Sequence, residues 1–169
     1  VPVEAQLQHM ADRAGQMVRA GITSARDLGG GRWLELKIRD RINRGEIQGP
    51  RLFLTGPPLT GVDGHPAATL FKDNPWLRTR HVIELTSEQE ARNAVGQLAA
   101  LGVDAIKLVY QGSNDEAEPY VFRPGVPLPK MSRLVMHAVI DESHRHQLLV
   151  TAHTNDLGDA LAVLEAGCD

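Results

Sequence analysis

Between Val3 and Ala20 the apolar residues Leu7, Met10, Ala11, Ala14, Met17 and Val18 recur at helical steps, so that they share one face. Gly21 stands where a helix C-terminal glycine belongs. "ITSARDLGGG" then reads as a short strand running into a glycine-rich loop. The unit recurs along the chain. A helix over Trp33 to Arg44 ends at Gly45, and "PRLFLTG" reads as the next strand. Ser87 and Glu90 have the spacing of a capping box, ahead of a helix carrying Ala91, Ala94, Val95, Leu98 and Leu101 and closed by Gly102. "DAIKLVY" is the strand after it. Another helix carries Met131, Leu134, Val135, Ala138 and Val139 and leads into "LLVTAHT"; a last helix, Leu157 to Ala166, stops at Gly167.

Helix and strand alternate strictly, which predicts an α/β fold whose parallel sheet is covered by helices. The predicted strands are roughly 22–28, 51–55, 104–110 and 148–154. A (β/α)8 barrel of the TIM type takes about 250 residues. About four βα units in 169 residues would form an arc of such a barrel, one partial domain spanning residues 1–169. A self-contained doubly wound domain satisfies the same periodicity.

Composition changes this picture little. Hydrophobic residues at 42% and charged residues at 23% describe an ordered globular chain. A net charge of −3, with both signs interspersed, gives no electrostatic support for binding nucleic acid or a membrane surface. The single cysteine, Cys168, excludes an intrachain disulfide. No apolar run approaches the roughly 20 residues of a membrane span. The compartment stays open, with the cytoplasm as the favoured expectation.

The candidate chemistry lies in two of the strands. In "DAIKLVYQG", strand alternation puts Ala105, Lys107 and Val109 on one face and Ile106, Leu108 and Tyr110 on the other. The aliphatic pair Ile106 and Leu108 suits a helix layer, which turns Lys107 to the inside. In "LLVTAHT" the parity repeats, with Thr151 and His153 opposite Val150 and Ala152. Lys107 and His153 both fall near strand C-terminal ends, where the active sites of parallel barrels collect. Taken singly, a strand lysine is ordinarily an edge or snorkelling residue, and a strand histidine a satisfied core or surface one.

Four segments, "AGITSARDLGG", "GEIQGPRLFLTGPPLTGVDGH", "LGVDAIKLVYQG" and "HRHQLLVTAHTNDLGDALAVLEAGCD", resemble in order and spacing consecutive blocks of the metal-dependent amidohydrolase superfamily. The branch they resemble is the imidazolonepropionase-like one, which includes Xaa-Pro dipeptidases (prolidases). The resemblance covers nearly the whole chain. It implies that Lys107 reacts with carbon dioxide to give a carbamate bridging two divalent metal ions, zinc being the expected metal, and that His153 binds one of them. A metal-bound hydroxide would attack an amide or cyclic amide carbonyl in a small-molecule or dipeptide substrate. Physical chemistry agrees with the implied role of the lysine. An ammonium cannot bind a cation, whereas a desolvated lysine has a lowered pKa and can present the neutral amine that carbon dioxide requires.

The resemblance also implies ligands outside these residues: a His-x-His pair on the first barrel strand, a histidine on the sixth and an aspartate on the eighth. The chain therefore reads as the central part of a larger hydrolase, inactive by itself. His65 in "TGVDGH", Tyr110 and Asn155 are the candidate substrate-binding residues. Gln147 stands where the family often has glycine before the strand. His144 and His146 sit at a predicted helix end, where residues two apart diverge, and are expected in solvent. "GGG" at 29–31 lacks a phosphate-binding pattern. "KIRDRINRGE" reads as a solvated helix face, and the proline-rich stretch 118–129 as a wall of the substrate entrance.

Two other readings stay open. A barrel lysine can form a Schiff base with a carbonyl substrate, as in a class I aldolase-like lyase. A chain of this kind can also serve only as a binding module. A homo-oligomer is compatible with all three.

Overall fold

The computed structural model describes residues 2–31, 33–112 and 127–169. Most of the proline-rich stretch, 118–126, lies outside these. The described elements are α1 (Val3–Arg19), β1 (Ser24–Asp27), α2 (Leu34–Asn43), β2 (Arg51–Leu54), β3 (Leu59–Gly61), α3 (Pro75–His81), β4 (Ile83–Leu85), α4 (Glu88–Ala100), β5 (Ala105–Val109), α5 (Arg133–Arg145), β6 (Leu149–His153) and α6 (Leu157–Glu165). Every strand pairing is parallel. The predicted α/β alternation is therefore the observed fold.

The helices begin where short polar side chains can take up the free amides of a first turn. The side chains of Asn74, Ser87, Ser132 and Asp156 accept hydrogen bonds from the amides of Leu77, Glu90, Val135 and Asp159. Each such cap is worth about 1 kcal/mol. Only half of the expected capping box forms, because the Glu90 carboxylate bonds to the amide and hydroxyl of Thr86. Helix ends at Gly21, Gly45, Gly102 and Gly167 adopt left-handed backbone. The chain leaves α5 through the same conformation without a glycine, at Gln147 with φ 59°.

Two sheets result, β1–β2 and β4–β3–β5–β6. β3 and β4, together with α3, lie in a region to which periodicity assigns no element. Gly56, with φ 68°, and the adjacent prolines Pro57 and Pro58 interrupt the strand that began at Arg51. Proline supplies no amide to a ladder, so β2 stays beside β1 while β3 resumes beside β4 and β5. The two sheets are still joined. Asp104 donates its amide to the Leu54 carbonyl, and its carboxylate accepts from the Leu54 amide, each at 2.8 Å.

The core lies between the larger sheet and helices α4, α5 and α6. Ile106, Leu108 and Val150 point from β5 and β6 into a cluster with Ala91, Val95 and Leu98 of α4 and Val135, Met136 and Val139 of α5. Complete burial of one such aliphatic side chain contributes about 1.5–3 kcal/mol. The helix face predicted for α4 is the buried one. The α5 face differs at two positions: Met131 precedes the helix while remaining buried, and Leu134 is exposed. Among the described residues no helix is long and apolar enough to cross a membrane.

Candidate active site

The face of β5 and β6 turned away from the helices carries the predicted polar residues. Register sets Lys107 beside Thr151 and Val109 beside His153 on adjacent parallel strands. Ile106, Leu108 and Val150, of opposite parity, are fully buried in the helix-side cluster, while Lys107 and His153 are half-buried. Burial pushes the Lys107 ammonium below the ordinary lysine pKa, opposed by the nearby Cys168 thiol. That thiol donates to the Val150 carbonyl at 3.1 Å, and its own pKa is raised, first by burial.

His65 comes to this site from the loop after β3. Its ring stacks on that of His153, with centroids 5.1 Å apart and planes inclined by 23°. Its Nδ1 lies 2.8 Å from the Thr69 hydroxyl oxygen. Burial, reinforced by His153 and Lys107, pushes the His65 pKa down to about 4. The ring is consequently neutral at physiological pH.

The loop bearing His65 is tightly constrained. Arg78 grips both oxygens of Glu84, through Nε at 2.7 Å and Nη2 at 2.5 Å, and reaches Asp63 at 2.7 Å. Glu84 also accepts from the Asp63 amide at 2.8 Å. Two glycines are required by close approach. A Cβ on Gly61 would lie 2.4 Å from the Met131 amide nitrogen, and one on Gly64 would lie 2.7 Å from the Pro129 carbonyl. The chain returning toward α5 thus packs directly over β3.

The other predicted residues are spread more widely. Tyr110, in keeping with the strand alternation, is buried in the helix-side apolar cluster, with the Lys130 ammonium 4.7 Å from its ring centroid. Asn155 is half-buried in the turn between β6 and α6. His144 and His146 are exposed at the end of α5, paired with Asp169 at 3.0 Å and Glu142 at 3.4 Å. Sequence reasoning passed over Gln111. Its side-chain oxygen lies 3.0 Å from His153 Nε2, and the residue is buried. The signal for it was parity, since it lies two and four residues beyond Val109 and Lys107 in the same alternation.

A divalent metal fits this donor set in part. His153 offers an imidazole, and Lys107 offers an amine whose burial favours the neutral form that can become an oxygen ligand. Among the described residues no group of three or more His, Cys, Asp or Glu side chains is arranged to hold a metal ion.

No protein-family model matches the chain, and no curated protein matches it. Solved structures do match its fold over nearly its whole length. It is similar to a Xaa-Pro dipeptidase with methionine bound in its active site (22% identity, TM-score 0.78), covering 100% of this chain and 41% of that one. It is similar to the "putative prolidase from Bifidobacterium longum" (30% identity, TM-score 0.70), covering 95% and 36%. The A. niger ochratoxinase gives 22% identity and a TM-score of 0.74, covering 96% and 38%. The chain therefore has the fold of part of these dipeptidase, ochratoxinase and prolidase structures and spans about 40% of their length.

Proposed function

We propose that these 169 residues form one arc of the catalytic barrel of a metal-dependent amidohydrolase, acting on the C–N bond of a dipeptide, an N-acyl amino acid or a small cyclic amide. The observation that carries this reading is the shared face of Lys107 and His153 on adjacent parallel strands, in a chain whose fold matches a Xaa-Pro dipeptidase and an amidohydrolase over nearly its full length. Two divalent ions, zinc by preference, would supply Lewis-acid activation of water and of the amide carbonyl.

The chain's own residues would do the rest. The Lys107 amine adds carbon dioxide and releases a proton, turning a would-be cation into an anionic bidentate oxygen donor. His153 contributes a neutral nitrogen donor. His65, neutral and stacked on His153, would present a hydrogen-bonding edge to a polar substrate group without adding charge. Asn155, beside the strand end, is the second candidate for substrate contact, whereas Tyr110 is buried in the helix-side cluster.

In the full-length protein, Lys107→Ala is expected to abolish amide hydrolysis and lower bound metal. His144→Ala and His146→Ala are expected to leave both nearly unchanged. Elemental analysis beside an activity assay decides, and equal metal loss on replacing His144 would mean that the ligands are wrongly chosen. A Schiff-base lyase is the second reading, favoured by the lowered pKa of Lys107. Borohydride with a carbonyl substrate would then trap a covalent adduct on Lys107, whereas the hydrolase gives none.

A further inference from the structure

We propose that Gln111 is a positioning residue that fixes the tautomer of His153, so that Nδ1 is the nitrogen available to a metal. The proposal rests on the hydrolase reading only for its mention of metal; the tautomer itself comes from the hydrogen bond. Gln111 shares the inward parity of Lys107 and is 6% exposed. Its Oε1 lies 3.0 Å from His153 Nε2. A carbonyl oxygen can only accept, so Nε2 carries the proton. In the neutral ring the lone pair then resides on Nδ1. A histidine bound to a metal commonly has its second nitrogen held in this way, by an acceptor that also orients the ring.

Gln111 is itself held by its neighbours in the chain. The Gly112 amide donates to Asp159 Oδ2 at 2.7 Å, and the Lys130 ammonium pairs with Asp159 Oδ1. Asp159 is 3% exposed, and its own amide donates to Asp156 Oδ1 at 2.8 Å. It lies in the first turn of α6, just past the end of β6. On the strand side, the Tyr110 amide donates to the His153 carbonyl at 3.0 Å. The end of β5 is therefore tied to β6 and to α6 on either side of Gln111. This fixes the backbone on both sides of Gln111, and the 3.0 Å contact with Nε2 orients its side chain.

The test uses the full-length protein with 15N-labelled histidine. In the parent protein the His153 ring is expected to show the Nε2-protonated pattern. Gln111→Leu should mix the tautomers, and Gln111→Glu, which keeps an acceptor, should preserve the parent pattern. Circular dichroism checks that each variant is folded. Cobalt(II) titration supplies a second readout: Gln111→Leu should weaken binding about 10–100-fold and Gln111→Glu should recover most of it. A dominant Nδ1-protonated ring in the parent overturns the proposal, as does an unchanged ring pattern in folded Gln111→Leu. Parent protein that binds no cobalt, while its tautomer still depends on Gln111, overturns the hydrolase reading and leaves the positioning role standing.

Discussion

On the proposed reading, the Lys107 side chain has to satisfy a strand and a reaction at once. Half-burial lowers its pKa, which destabilises the ammonium and prepares the amine. A residue placed for packing alone would relieve that cost with an apolar side chain. Gln147 shows a different local cost. Its φ of 59° is a left-handed conformation that costs a side chain roughly 1 kcal/mol and costs glycine nothing comparable. Gln147→Gly is therefore expected to raise stability by about 0.5–1 kcal/mol, read as a higher urea midpoint, with no change in metal content. A midpoint that falls would mean that the glutamine side chain makes compensating contacts.

At the scale of elements, the position of His65 depends on the link between α3 and β4. Arg78, Glu84 and Asp63 join the helix, the strand and the loop. The hydrogen bond from Arg78 is the largest cause holding the Glu84 carboxyl below its ordinary pKa, against the opposing effect of burial. A carboxyl whose pKa is depressed by folding stabilises the fold fully above its unfolded value, here 4.5. That contribution is lost as pH falls through the lower folded value. The urea midpoint is thus expected to fall between about pH 5 and pH 3, and less steeply in Glu84→Gln than in the parent. At neutral pH Glu84→Gln should cost about 1–2 kcal/mol, because Arg78 is left partly buried with a weaker partner. Identical pH profiles for the two proteins would remove Glu84 from the account.

At the scale of the whole molecule, the proposed reading names two metal donors among the described residues, Lys107 and His153. Tight zinc sites need several converging ligands, and a carbamate without metals to neutralise it loses its main stabilisation. The 169-residue chain alone is expected to retain no pair of zinc ions and to leave Lys107 unmodified, as measured by elemental analysis and intact mass at neutral pH. Two tightly held ions per chain, with no partner contributing ligands, would defeat this expectation. Leu149 on β6 and Leu157, Leu161 and Leu164 on α6 are exposed, and β6 pairs with only one strand among the described residues. An apolar helix face beside a strand edge that only Cys168 and Asp169 partly cover, at Val150, favours association.

The sequence by itself determined the alternation of helices with parallel strands, most helix ends and the inward parity of Lys107 and His153. These come from local rules: periods of about 3.6 and 2, short polar caps, and glycine at left-handed turns. It also carried the parity of Gln111, although nothing local distinguishes a buried glutamine on that face from an exposed one. Only the tertiary structure decided the rest. Strands of three residues, β3 and β4, are too short to show a period and exist because β5 and a neighbour complete their ladders. The stacking of His65 on His153 joins residues 88 positions apart in the chain. It depends on Gly61 and Gly64 letting the return segment pack over β3, and on Arg78 holding the loop. Such contacts are set by where elements meet in space, which no spacing along the chain encodes.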